Sequence, residues 1–362
     1  MSLAAAEVAV RLIYEDKFGS RPGFYISDDV LGWKPNANLD HTFYGPDFRI
    51  EIRTDVDGYR LGALGEIDYR RPLVVLCGDS YTFGWGVSTH DSYASFVDEM
   101  LNAYSKGELR TVNLGVGGYG ILQSCDRLID FFNRHAESRV GLIVLQHAVN
   151  DATDNYSAIG YHLRLWKAED RVASRSRSHL LNACRYAMAA TPGGRRAAAD
   201  STRLAYEQDL LWAYRRTGTL RYPTRVTIGD RKLTFDTSTL RSDFSPDSLI
   251  ARRALSGIQR ELMFESLNCF HAVAHLHNVT VVHSFISTTP DWYVQEVAGI
   301  ARRSADFSGC RAVITRALPQ PEEYSGPTNN AHSGGHFNPA FNRYWAAMMV
   351  EFLEAADLLP RS

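Results

Sequence analysis

The chain has 362 residues, 45% hydrophobic and 22% charged, as in an ordinary globular protein with room for a sizeable core. A formal net charge of −2 excludes whole-surface attraction to nucleic acid. No apolar run approaches the roughly 20 residues of a membrane-spanning helix, so no membrane span is expected. Five cysteines, Cys77, Cys125, Cys184, Cys269 and Cys310, are odd in number and show no CxxC spacing. Small buried hydrophobes are therefore expected, without a disulfide framework.

Residues 1–18 lack the basic n-region and long apolar h-region of a signal peptide. They read as a helix with Val8, Leu12 and Ile13 on one face, or as the remnant of an N-terminal anchor. The expected location is cytoplasmic for the chain as given, and exported or membrane-anchored if an N-terminal segment has been removed. Residues 19–70 are rich in Gly, Asp, Pro and aromatics, with an alternating run at Phe48, Ile50 and Ile52. Segment 1–70 is accordingly expected to be a β-rich N-terminal extension packed on the core, ending in turn chemistry at Thr54–Arg60.

From Leu73 the pattern becomes regular. The unbroken run Leu73–Cys77 suits a strand buried on both faces and leads into Gly78-Asp79-Ser80. A helix follows over 89–103, then a short strand over 110–114. The stretch Gly115-Val-Gly-Gly-Tyr-Gly120 precedes a helix over 121–133, and a strand over 141–146 runs into Asn150-Asp151. Strand–helix alternation of this kind predicts a doubly wound parallel sheet over 71–362.

Residues 153–250 break the rhythm. About 100 residues is too long for a plain loop, so an inserted lid is expected, with helices of its own and a hairpin over 225–235. Its charge is lopsided, with 13 Lys and Arg against 5 Asp and Glu between 160 and 225, a stretch that includes Arg171, Arg175 and Arg177. That suits a solvated surface, or a lid that meets an anionic substrate. Helices over 252–276 and 292–303 and strands over 279–286 and 311–315 then resume the alternation. A last helix starts at Pro339, where Asn338 suits the N-cap and Pro339 the first helical position.

Four polar blocks fall at or near the carboxyl ends of predicted strands: Gly78-Asp-Ser80, Asn113-Leu-Gly-Val-Gly-Gly118, Asn150-Asp151 and His336-Phe-Asn-Pro339. Acyl transfer requires these types: a hydroxyl nucleophile (Ser80), a base (His336), and donors for an oxyanion. The donors would be the Ser80 and Gly118 N–H groups and the Asn150 amide. Each has a plainer reading: a turn serine, a positive-φ glycine, a helix-capping asparagine. His332 lacks the capping context of His336. His271, His275 and His277 read as a solvated helix end in preference to a zinc site. Gly115–Gly120 lacks the Lys-Ser/Thr and the spacing of a phosphate loop.

Taken together, GDSYTFG, NLGVGGYG, VND and GGHFNPAFNR resemble the blocks of the SGNH (GDSL-type) hydrolase superfamily, over roughly residues 72–152 and 279–355. The resemblance implies a three-layer, flavodoxin-like α/β fold and metal-independent ester chemistry, with no cofactor. The expected activity is that of a serine esterase or deacylase that cleaves a small acyl ester through an acyl-enzyme on Ser80. The substrate would be a small molecule, a natural product or a glycan ester. O-acyl transfer to a sugar hydroxyl and a silent carbohydrate-binding module are the alternatives. One departure stands out. The resemblance implies an Asp two or three residues before the histidine, where this chain has Gly334 and Ser333. A backbone carbonyl, or Glu322, Glu323 or Asp291, would have to orient the imidazole.

Overall fold

A computed structural model describes residues 6, 8, 25–28, 31–44, 49–155, 224–228, 231–235, 253–315 and 336–360. Most of the expected lid and of the expected N-terminal helix lies outside the described residues, as do Cys184, Arg171, Arg175, Arg177, Glu322, Glu323, His332, Ser333 and Gly334. No described helix is long and apolar enough to cross a membrane.

The N-terminal segment forms two antiparallel pairs, β1 (Tyr25–Asp28) with β2 (Gly32–Pro35), and β3 (Asp40–Tyr44) with β4 (Arg49–Arg53). In β4 the burial alternates, placing Ile50 and Ile52 inward as their spacing predicts. The turn that follows is an Asx turn, in which Asp55 Oδ1 accepts from Asp57 N at 2.9 Å and Tyr59 N at 2.8 Å.

β5 (Pro72–Cys77), β6 (Arg110–Asn113) and β7 (Arg139–His147) begin the main sheet. The hairpin β8 (Thr224–Ile228) and β9 (Arg231–Phe235) stands apart from it, and β10 (Thr280–Phe285) and β11 (Ala312–Ile314) complete it. The main sheet is parallel in the order β11-β10-β7-β5-β6. Counted along the chain this is 2-1-3-4-5, the flavodoxin-like winding, whose ligand crevice opens outside the carboxyl ends of its first and third strands. Here those strands are β5 and β7.

Six α-helices are described: α1 (Ser80–Phe83), α2 (Tyr93–Tyr104), α3 (Ile121–Arg134), α4 (Gly257–Leu276), α5 (Asp291–Ser308) and α6 (Pro339–Ala355). Leu73, Val75 and Cys77 face the layer made by α3, α4 and α5, whereas Val74 and Leu76 face α2 and α6. A strand with both faces covered must be apolar throughout, which explains the unbroken Leu73–Cys77 run. Cys77, Cys125 and Cys310 are buried free thiols, and Cys269 is partly buried.

Two helix starts differ from expectation. Thr89–Asp91 forms a separate 3-10 turn, because Ser92 caps α2 by accepting from Ser95 N at 3.2 Å. Likewise α4 starts at Gly257, after a capping box in which Ser256 and Gln259 satisfy each other's backbone N–H groups.

Candidate active site

The turn after β5 is set by Gly78, whose φ is +151°. A side chain there would run into Thr82 Oγ1 and stand 3.0 Å from the Gln146 carbonyl. Asp79 then caps α1, accepting from Tyr81 N at 2.9 Å, and Ser80 becomes the first helical residue at the crevice. Arg60, buried, reaches in from the N-terminal segment and donates to the carbonyls of Phe83, Gly84 and Val87 at 2.7, 2.6 and 2.7 Å. Burial pushes this guanidinium down to about 9, still protonated at neutral pH.

The second block closes on the first. Asn113 Nδ2 donates to the Thr82 carbonyl at 2.9 Å while its Oδ1 accepts from Gly115 N at 2.9 Å. Gly118 takes a φ of +78° at the third position of a turn closed by Tyr119 N donating to the Val116 carbonyl at 3.2 Å. That left-handed position favours glycine. The N-terminal segment holds this loop from outside. Trp33 Nε1 donates to the Gly117 carbonyl at 3.1 Å, Tyr119 Oη donates to the Trp33 carbonyl, and Gln123 Nε2 donates to the Leu31 carbonyl at 2.7 Å. A methyl group at Gly117 would stand 2.8 Å from the Tyr25 hydroxyl and 3.7 Å from Ser80 Cβ, so the loop passes close beside the serine.

The fourth block arrives from the far end of the chain. Asn338 caps α6 by accepting from Phe341 N at 2.9 Å, with Pro339 in the first turn, as the sequence predicts. His336, two residues earlier, brings its Nε2 to 2.8 Å from Ser80 Oγ. The Tyr81 ring lies 4.8 Å from the His336 ring and 5.0 Å from Phe337, flanking the imidazole with apolar surface. Burial, with Asp79 nearby, pushes the Tyr81 phenol up to about 12, which leaves it neutral. Asp291 is exposed at the start of α5 and, among the described residues, forms no hydrogen bond with His336.

Asn150 sits at the end of the third block with its amide nitrogen between two carboxylates. Its Nδ2 donates to Asp79 Oδ2 at 3.1 Å and to Asp154 Oδ2 at 2.7 Å. Both amide hydrogens are thereby engaged inside the protein. Burial pushes the Asp79 carboxyl above its usual range, opposed by the Tyr81 N–H, the Asn150 amide and the His336 imidazole.

The structure thus brings Ser80 and His336 into contact and packs the Gly118 loop and Asn150 around them. Residues 76–241 match the GDSL-like lipase/acylhydrolase family, a span that includes Ser80, Gly118 and Asn150 and stops short of His336. Over that span, a little under half of the chain, the protein is similar to this family. The match supports an ester-cleaving hydrolase.

Solved structures similar to this hydrolase include a lipase/acylhydrolase from Enterococcus faecalis (13% identity, 80% of this chain and 99% of that one, TM-score 0.37). They also include TesA (13%, 80% and 100%, 0.38) and the SGNH-hydrolase family esterase AlinE4 (12%, 82% and 99%, 0.33). Likeness this distant carries no argument; the fold of the hydrolase rests on its strand order. No curated protein matches the chain.

Sequence reasoning missed the contributions of Arg60 and Trp33, which carry no motif and reach the site only through long-range packing. It also misread His271. Expected at a solvated helix end, this residue is fully buried, whereas His275 and His277 are exposed. The expectation took in three histidines at the end of one helix, yet His271 lies more than a turn before that end, packed against β10 and α5.

Proposed function

We propose that this hydrolase is a metal-independent serine esterase or deacylase in which Ser80 is the nucleophile and His336 the general base. The observation that carries the reading is the 2.8 Å separation of His336 Nε2 and Ser80 Oγ, across 256 residues of sequence. A silent binding module would have no need of that alignment.

In the proposed path His336 Nε2 takes the Ser80 proton as Oγ attacks the ester carbonyl. The tetrahedral oxyanion faces donors from the Ser80 and Gly118 backbone and from Asn150. Because both Asn150 hydrogens are held by carboxylates, its part requires one of them to turn to the substrate; the longer bond, to Asp79, is the one to yield. Collapse returns the proton from His336 to the leaving alcohol and leaves an acyl group on Ser80. His336 then deprotonates water, which releases the acid and restores the serine. A small acyl ester, on a carbohydrate or a natural product, fits a site whose wall is an aromatic and glycine-lined turn. The described part of the N-terminal 1–70 segment, through Leu31, Trp33 and Arg60, serves as an extension that braces this wall.

Hydrolysis of p-nitrophenyl acetate and fluorophosphonate labelling, compared in wild type, Ser80→Ala and His336→Ala, test the mechanism. Loss of turnover and labelling in both variants is expected. Labelling that survives in Ser80→Ala would remove Ser80 as the nucleophile.

A further inference from the structure

Behind Asn150 runs a line of buried polar side chains that the proposed mechanism does not use. His147 ends β7, and its Nδ1 lies 3.3 Å from Asp151 Oδ2. Its Nε2 lies 2.9 Å from Nδ1 of His283 on β10. Nε2 of His283 lies 2.8 Å from Nε2 of His271 on α4, and His271 Nδ1 lies 2.8 Å from Ser304 Oγ on α5. His147, His283, His271 and Ser304 are all 0% exposed, and Asp151 is 2% exposed. The line crosses four elements, yet local periodicity explains its direction: His147 and His283 follow Leu145 and Val281 by two residues and so point to the same sheet face, against α4 and α5.

We propose that Ser304, His271, His283, His147 and Asp151 form one directional hydrogen-bonded chain whose role is to position Asn150, with Asp151 and the three histidines as positioning residues. The inference rests on the oxyanion reading of Asn150 given above. The link to Asn150 is the turn itself. Asp151 Oδ2 accepts from Ala148 N at 3.1 Å while Asp151 N donates to the Ala148 carbonyl at 3.1 Å, so the Asp151 side chain and backbone clamp residues 148–151. Whatever orients Asp151 orients the asparagine beside it.

Proton counting requires every ring of the chain to point the same way. Four links need four protons; three neutral rings supply one each, and one end must supply the fourth. Ring cations are disfavoured, because burial holds His147 down to about 3 and His271 down to about 4, and holds His283 well below its ordinary value. At the other end, burial and the nearby Asp79 and Asp154 push the Asp151 carboxyl well above its usual range. Among the described residues no lysine or arginine pairs with it. The fourth comes from the Ser304 hydroxyl, with every ring N–H pointing towards Asp151 Oδ2, or from the Asp151 carboxyl, with every ring N–H pointing towards Ser304. Buried polar chains of this kind are rigid only when every member is satisfied.

Long-range 1H–15N correlation on the 15N-histidine-labelled full chain at pH 7 tests the order. The expected pattern is three neutral rings that point one way: Nε2–H for His147 and His283 with Nδ1–H for His271, or Nδ1–H for His147 and His283 with Nε2–H for His271. Kinetics on p-nitrophenyl acetate test the role. His283→Leu, which cuts the chain, should lower kcat about tenfold or more with KM within about twofold, as misplacement of a group used mainly in the transition state does. Asp151→Ala, which removes both the end of the chain and the acceptor for Ala148 N, should lower kcat at least as much. A cationic ring or one ring pointing against the other two overturns the chain, and so does a folded His283→Leu with wild-type kcat. If His283→Leu does not fold, the wild-type spectrum alone decides. Asn150→Ala beside these variants separates the two readings. An unchanged kcat there refutes the oxyanion assignment, whereas a loss there with none in His283→Leu refutes the chain.

Discussion

Arg60 and Phe83 meet twice: the guanidinium donates to the Phe83 carbonyl at 2.7 Å and lies 4.7 Å over the Phe83 ring. Through the same fork it holds the carbonyls of Gly84 and Val87, so a residue of the N-terminal segment clamps the turn that carries Ser80. Replacing it by Met keeps the stem but leaves three carbonyls without their donor. Arg60→Met should cost on the order of 3 kcal/mol in urea unfolding, and Arg60→Lys should recover only part, because one ammonium cannot reproduce the fork. Equal stability of Arg60→Met and wild type would show that the clamp adds nothing.

Gly78→Ala sets a side chain against Thr82 Oγ1 in a backbone conformation that L residues rarely adopt. The turn must shift, and Ser80 lies two residues on. A loss of about 1–3 kcal/mol is expected, with fluorophosphonate labelling slowed at least about tenfold under conditions where the variant is folded. Labelling at the wild-type rate would mean that the Ser80 position is independent of this turn.

Asn150→Ala removes the donor shared by Asp79 and Asp154 as well as a proposed oxyanion contact. Activity should fall about 100-fold or more. The stability effect has a pH signature. The Asp79 carboxyl is already held above its usual range, and losing Asn150 removes one of the groups that lower it, so its folded value rises further. A group whose folded value is raised binds protons more tightly when folded, and its contribution shrinks as pH rises. The variant should therefore be more destabilised at pH 8 than at pH 5, as thermal melts would show; an equal deficit at both would contradict this.

The buried histidines predict acid sensitivity in the wild type. His147 and His271 are held to about 3 and about 4 in the fold, against an ordinary value near 6.5 when unfolded. Between these values the unfolded chain binds more protons, so stability is present above about pH 6.5 and is lost as pH falls towards 4. At pH 5 the loss is on the order of 2 kcal/mol per ring. Asp151, raised in the fold, acts in the opposite sense and softens the decline. Substituting His271 by Phe should flatten the melting temperature between pH 7 and pH 5; a slope unchanged from wild type would exclude this ring as a source.

Local chemistry made much of the site legible from the sequence. The buried run Leu73–Cys77, the glycines at 78 and 118, and the Asn338-Pro339 cap each state a backbone requirement through residue type alone, and the structure meets each one. The order of the blocks and their places at strand ends followed from strand–helix alternation. Which side chains oppose one another did not. His283 and His147 come within 2.9 Å because β10 lies beside β7 in a fixed register, and Arg60 reaches Val87 because β3 and β4 lead it under α1. Hydrophobic period reports which face of an element is buried. The partners of a buried polar group depend on strand order and packing, which are properties of the whole fold; they alone decided that His271 sits inside and that both hydrogens of Asn150 meet carboxylates.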